Sequence, residues 1–341
     1  MNIEILSASS AEKYEEFLLK RPETLLYHSY RYHCLIEDLL ACQRETRLAI
    51  DERGIVRAAF PLMSMRGPYG TVFNSLPFYG SNGGLLGDDK TARAALTLAY
   101  NELLSGPGVA CATVVENPLS PNGATGLPVD LVDERIGQLT PLPAAENAAI
   151  ALMSMYHQKT RNMVRKAEKG GVTVTIDNDA LDFVLDVHVQ NMRELGGTPK
   201  SGRFFLLVPN YFRAGIDYNI YVARIENIKV AALLVFYYNE TVEYFTPVVL
   251  EAFRDTQALS GIVFRAMSDA AHSGFRWWNW GGTWLSQDGV YRFKSRWGTQ
   301  DKPYRYYTHI KNKEILAASR DSLLATYPNF FTVPFAALSQ S

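Results

Sequence analysis

The chain has 341 residues, 47% of them apolar and 20% charged, with a net charge of −1 at pH 7. That length exceeds what one hydrophobic core usually serves, so about two domains are expected, and the composition is that of an ordinary soluble globular protein. A charge this close to zero excludes a global field that would recruit nucleic acid or an anionic membrane; any polyanion would have to be held by a local patch.

From the N-terminus, helical spacing runs over residues 11–19 and 30–40. A hairpin is written over 48–61, where a β-rich run meets the polar turn Glu52, Arg53, Gly54 and a second apolar run leaves it. A glycine-rich passage at 75–87 ends at Asp88 and Asp89, whose charge suits the start of a helix over 88–104. A strand-like run follows at 109–115. Between 116 and 128 the Asn-Pro, Ser-Pro-Asn-Gly and Leu-Pro steps read as a surface loop. Pro141, Pro143 and the alanine-rich stretch after them read as the passage into a second domain, so domains are expected at 1–145 and 146–341.

The second half opens with a basic helix over 159–169, stopped by Gly170 and Gly171, and then a strand at 172–176. A longer helix is expected with Asn178 as its N-cap, Leu181, Val184, Leu185, His188, Met192 and Leu195 on one face, and Gly196 as its stop. A second hairpin over 222–235 turns at Glu226 and Asn227 and leads to a third strand at 242–247. A helix over 255–271 with an apolar stripe and a strand-like run at 275–280 come next. A last helix is expected at about 312–326, with packing back on the first domain left open. The two hairpins lie roughly 170 residues apart, overlay without a gap, and are each followed by helix and strand. A repeat this long implies two similar domains, not a solenoid. The expected fold class is α+β (mixed α/β), each half an antiparallel meander with helices, without the rhythm of a doubly wound sheet.

All five tryptophans fall between positions 277 and 297. That stretch is the candidate floor and wall of a pocket, although filling the core explains Trp278 and Trp280 equally well. Lys294 sits inside the same aromatic, glycine-flanked run. Buried without an anion it would be costly, so a negative ligand group or a developing oxyanion is one reading and snorkelling from a helix to water is the other. Arg161 and Arg165 lie one helical turn apart, a spacing that grips two phosphate oxygens or simply makes a solvated face. The glycine-rich passage has neither Gly-Lys-Ser/Thr nor G-x-G-x-x-G, which argues against a P-loop or dinucleotide site; Tyr79 beside it is a candidate cleft residue.

The six histidines form no ligand-spaced group, so no metal is expected, and no G-x-S-x-G elbow or cysteine with a basic neighbour suggests a protein nucleophile. Three cysteines without a Cys-x-x-Cys pair suit a reducing compartment. The start of the chain lacks a basic-then-apolar leader and no run of eighteen apolar residues occurs, so a cytoplasmic protein without a transmembrane segment is expected, peripheral association being left open.

Three runs in fixed order carry a resemblance: Lys-x-Arg-Asn-x-x-Arg-Lys-Ala-x-Lys-Gly-Gly-Val from Lys159, the helix ending in Gly274-Phe275, and Gly-Val-Tyr-Arg-Phe-Lys-Ser-Arg-Trp-Gly from Gly289 to Gly298. Together they resemble the Fem-type transferases, tandem-GNAT proteins related to the methicillin-resistance factors. The Ser75-Leu-Pro-Phe-Tyr-Gly run with Gly83 and Gly84 also looks like members linked to exopolysaccharide synthesis. The resemblance spans nearly the whole chain and is most specific at Phe293-Lys294 with Trp297-Gly298. It implies two tandem GNAT-like domains and acyl or aminoacyl transfer onto an amine. In the peptidoglycan branch the donor is an aminoacyl-tRNA and the acceptor a nucleotide-linked muropeptide. Carried over, Lys294 becomes an electrostatic stabiliser at the transferred carbonyl, Phe293 its positioning neighbour, Arg161 and Arg165 phosphate contacts and Arg203 a weaker phosphate candidate. From the aromatic run and the glycine passage themselves, Tyr291, Trp280, Trp284 and Tyr79 are the substrate-contact candidates. Two departures are visible: no long charged helical hairpin is inserted, and the turn at 253–261 lacks the Gln/Arg-x-x-Gly-x-Gly/Ala run that cradles coenzyme A in ordinary GNAT enzymes.

The expected function is N-acyl or aminoacyl transfer onto an amine of a cell-envelope or exopolysaccharide precursor. No cofactor is held permanently; the donor is aminoacyl-tRNA or acyl-CoA. Partners are a small-molecule or nucleotide-linked precursor, tRNA as donor, and no DNA. The alternatives are an acyl-CoA-dependent amino-sugar N-acetyltransferase and, from another class, an inactive glycan- or peptide-precursor-binding protein. Asp288 and Glu243 are the nearest acids that could take the amine proton.

Overall fold

The computed structural model describes every residue except 78, 80–82, 121–124, 145, 285 and 339–341. The chain forms two compact units, residues 1–135 with 303–341, and residues 136–302. Residues 303–338 lie with the first unit; the boundaries expected from sequence put them in the second half, with only the helix at about 312–326 left open to packing on the first. The proline stretch near 141 is part of the second unit's sheet and not a linker: Thr140 accepts a hydrogen bond from Trp280 and the Leu142 amide donates to the Arg276 carbonyl.

In the first unit, β1 (Asn2–Ile5) is followed by helices α1 (Ala11–Leu19) and α2 (Tyr30–Leu40). The first hairpin is longer than its sequence signal. Strands β2 (Gln43–Arg44) and β3 (Arg47–Ile50) pair antiparallel with β5 (Met63–Gly67) and β4 (Val56–Phe60), Arg44 facing Met63 and Arg47 facing Phe60. The ladder kinks at Pro61, which has no N–H to donate. Strand β6 (Gly70–Asn74) pairs antiparallel with β5, helix α3 (Lys90–Ser105) crosses, and β7 (Val109–Val115) pairs parallel with β6. Every residue of β7 is buried, which is why it reads as an unbroken apolar run. Leu96, Tyr100 and Leu104 of α3 pack with Phe60, Phe73 and Ala112 in one core.

Strand β8 (Leu131–Pro141) carries the chain into the second unit. There α4 (Ala148–Met155), the basic α5 (Gln158–Lys169), β9 (Thr173–Ile176), α6 (Leu181–Glu194) and α7 (Gly202–Tyr211) precede the second hairpin, β10 (Tyr218–Ile225) and β11 (Ile228–Tyr238). Its turn residues Glu226 and Asn227 have φ of 48° and 68°, the left-handed pair that a tight hairpin requires. Strand β12 (Thr241–Val249), helix α8 (Ala258–His272), strand β13 (Trp277–Trp284) and helix α9 (Asp288–Ser295) follow. The strand order is β8-β13-β12-β11-β10-β9, antiparallel from β9 to β12 and parallel between β12 and β13. Ile262, Val263, Ala266 and Met267 of α8 share a core with Leu233, Val235 and Trp278 on one face of the sheet. Phe204 of α7 stacks on Phe245 of β12, and Phe245 in turn meets Phe236 of β11 edge-on.

Asn178 does not cap α6. Its Oδ1 accepts from the Ile220 amide at 2.8 Å and its Nδ2 donates to Asn219, fastening the loop to β10, while Ala180 stands at the helix start. Strand β14 (Gln300–Ile310) returns to the first unit and pairs antiparallel with β7, and α10 (Arg320–Thr326) precedes Tyr327, whose hydroxyl donates to the Gly70 carbonyl at 2.8 Å. Both units therefore repeat one order of elements: antiparallel hairpin, third strand, crossing helix, and a strand parallel to the third.

Candidate active site

The second unit's parallel pair is short. Strands β12 and β13 are in register only at Thr241 with Trp277, Val242 with Trp278 and Glu243 with Asn279; beyond that pair both strands run on without each other, over residues 244–249 and 280–284. Strand β12 stays anchored to β11 along this length, with one extra residue, Phe245, bulged between the pairs Val235–Tyr244 and Leu234–Thr246. Strand β13 stays beside β8, where Trp280 Nε1 donates to Thr140 Oγ1 at 2.9 Å and Thr283 Oγ1 donates to Gln138 Oε1 at 3.0 Å. The result is a fork with two fixed walls.

Glu243 and Asn279, each 1% exposed, sit at its root, with Asn279 Nδ2 donating to both carboxylate oxygens and Asn279 Oδ1 accepting from the Gly281 amide at 2.9 Å. Lys294, on α9, is bonded to the stretch of β13 beyond that pair. It is 7% exposed, so the snorkelling reading does not hold, and its Nζ donates to Gly281 O at 3.4 Å, Gly282 O at 3.2 Å and Thr283 Oγ1 at 2.9 Å. Among the described residues no carboxylate pairs with it. Burial alone pulls its pKa down to about 8. Three acceptors match the three N–H bonds of an ammonium group, and because Thr283 spends its own proton on Gln138 it can only accept from the lysine.

Phe293 packs edge-on against Trp280 and Trp297, which fixes the helix that carries Lys294. Trp278, Trp280 and Trp297 belong to the core, so the core reading of the tryptophan cluster holds for these; Trp284, 54% exposed, ends β13. Tyr291 donates its hydroxyl to Asp301 at 2.6 Å, and Asp288 is exposed at the start of α9. The basic helix is tied to the same element: the His157 amide and Thr160 Oγ1 both donate to the carbonyl of Arg296, two residues beyond Lys294. On it Arg161 donates to the Tyr156 carbonyl, and Arg165 is exposed. Arg203 is exposed in the first turn of α7, on the sheet's other face. Tyr79 belongs to the first unit, at φ 84°, with its carbonyl accepting from Tyr32. Its neighbours Phe78, Gly80, Ser81 and Asn82 lie outside the described residues.

Helix α8 follows β12 and starts at Ala258. Gln257, at φ 61°, makes no side-chain cap, but the Ala258 amide donates to Thr256 Oγ1 at 3.3 Å. Gly261 in that first turn serves packing: a Cβ there would lie 3.3 Å from Ala167 Cβ of α5.

The equivalent place in the first unit is closed by its own chain. Strands β6 and β7 part after Asn74 and Thr113, and the next polar groups on β7 are already taken, Val115 N donating to Ser75 Oγ at 2.8 Å and Val115 O accepting from Gly83 N at 3.1 Å. The crossing helix there is capped by Asp89, an acid where an anionic ligand would need open amides. Among the described residues no His, Cys, Asp or Glu group could hold a metal ion, and no helix is long and apolar enough to cross a membrane.

A strand fork beside a crossing helix, occurring once in each of two units, defines the tandem-GNAT class of fold. Residues 154–295 match the family model described as an acetyltransferase (GNAT) domain, so the chain carries one in its second unit. The fold is that of the Fem-type tandem GNAT proteins: the crystal structure of FemX superposes with a TM-score of 0.71 at 15% identity, covering 92% of this chain and 98% of that one. The C-terminal domain of a putative lysylphosphatidylglycerol synthetase from Agrobacterium fabrum gives a TM-score of 0.59 at 12% identity over 96% and 99% of the two chains. A tandem GNAT protein of the clavulanic acid biosynthesis pathway gives 0.52 at 12% over 91% and 98%. A sequence comparison with curated proteins found no match.

Proposed function

We propose that the protein is a cytoplasmic N-acyltransferase or aminoacyltransferase whose second unit passes an activated acyl group to an amine of a cell-envelope or exopolysaccharide precursor. One observation carries the reading: a buried ammonium with no carboxylate partner among the described residues, Lys294, is bonded to β13 beyond the point where β12 and β13 part, while the polar groups at the first unit's fork are taken by its own chain. The acceptor nitrogen attacks the acyl carbonyl, the C–N bond forms as the donor's C–O or C–S bond breaks, and the amine proton leaves with the departing oxygen or sulfur, directly or through Glu243. The negative charge that collects on the carbonyl oxygen is met by Lys294, which exchanges its longest hydrogen bond, to Gly281 O, for the oxyanion; a preorganised donor of this kind is worth about 3–4 kcal/mol of barrier. Arg161 and Arg165 serve as phosphate contacts for a nucleotide-linked substrate or a tRNA, and Trp284 and Tyr291 line the approach.

A second reading keeps the site and uses acyl-CoA to acetylate an amino sugar. The description of the matching family favours it. Thermal-shift measurements with coenzyme A and with aminoacyl-tRNA separate the donors. A shift with tRNA alone supports the Fem-type reaction, a shift with coenzyme A alone supports the second reading, and no shift with either counts against transfer.

A further inference from the structure

A second cation stands next to the fork. Lys200, in the segment between α6 and α7, places Nζ 5.3 Å from the centre of the Phe245 ring, the residue bulged out of β12 just beyond the Glu243–Asn279 pair. Among the described residues its Nζ has no hydrogen-bond acceptor and no carboxylate. Its backbone is held firmly, since the Lys200 amide donates to His188 Nε2 at 2.9 Å, so the ring nitrogen facing Lys200 is an acceptor and the imidazole is neutral. Burial holds His188 down at about 4, which keeps that imidazole neutral, and holds Lys200 down at about 8. Lys200 is half-buried, and the aromatic face offsets only part of what its cation loses where water is excluded. Lys294 by contrast has three oxygen acceptors, so the two lysines differ in what they lack.

We propose that Lys200 is an anion-binding residue of the acyltransfer site, receiving a carboxylate or phosphate group of a substrate held against Phe245 on the α6–α7 side of β12. The inference rests on the reading that the second unit works at the β12–β13 fork. A carboxylate or phosphate oxygen supplies the acceptor that the folded chain does not, and Phe245, stacked on Phe204, gives the bound group a rigid apolar backing.

The test uses the full-length protein with 13C-methylated lysines, the Lys200 resonance being assigned by its loss in Lys200→Met, titrated in chloride and then with inorganic phosphate or acetate. Lys200 is expected to titrate near 8 in chloride and to rise by about one unit or more with a bound anion. Phosphate binding by calorimetry should weaken by about tenfold in Lys200→Met and survive in Lys200→Arg. A response to phosphate over acetate points to a phosphorylated substrate, and the reverse to a carboxylate. A Lys200 titration that neither anion moves, or equal phosphate affinity in Lys200→Met, overturns the inference. It does so independently of acyl transfer, which is read separately from product formation: anion binding without any transfer would instead sink the functional reading.

Discussion

Asn279 donates its side-chain amide to both oxygens of Glu243, at 3.2 and 2.9 Å, at the last register pair before β12 and β13 part. The pair marks the root of the fork. A buried acid facing an amide N–H₂ is satisfied, whereas a second amide would set N–H₂ or C=O groups against one another. Glu243→Gln is therefore expected to cost about 1–3 kcal/mol of stability, read as a lower urea midpoint at unchanged slope. A midpoint equal to wild type would show that the pair does not hold the root of the fork.

Lys294 gives the reaction a pH limit. Its pKa is near 8, so acyl transfer should decline as pH rises through that value and the ammonium is lost. Stability runs the other way. The folded pKa lies below the ordinary lysine value of about 10.4, so the folded chain binds fewer protons than the unfolded chain between about 8 and 10.4. The penalty of the buried charge is in full force below about 8 and fades above it. Wild type should gain stability relative to Lys294→Met between pH 7 and pH 10, measured by urea unfolding at both. A parallel pH dependence of the two proteins would contradict the assignment.

How far the sequence foretold this arrangement depended on what kind of signal each element carries. Strand β7 and helix α8 are legible because full burial and a 3.6-residue stripe leave marks in composition. The second hairpin is legible from Asn227 in its turn. Strands β5 and β6 were hidden by Gly67, Pro68 and Gly70 and by Met and Ser at buried positions, and α7 by Pro209 near its end and the Gly-Gly-Thr-Pro approach. Helix α4 was hidden by the prolines that precede it. Lys294 is marked as a cation out of place, yet its partners Gly281, Gly282 and Thr283 lie on another element. The fork itself could not be read, because it consists of pairing that stops.

The closed fork of the first unit makes Gly83 a structural residue. A Cβ there would come 2.5 Å from Ser75 Oγ, the acceptor for the Val115 amide. Gly83→Ala should lose about 1–3 kcal/mol by breaking that bond or shifting the loop. Specific activity per folded molecule should be kept, since transfer is proposed at the second unit's fork. Loss of transfer at full stability would move a catalytic role into the first unit.

The account turns on Lys294. With donor binding followed by thermal shift and transfer followed by product formation, Lys294→Met is expected to keep binding and to lose transfer by about 10²–10³. Turnover equal to wild type would contradict it, leaving Lys294 as a latch on the Gly281–Gly282 carbonyls and nothing more.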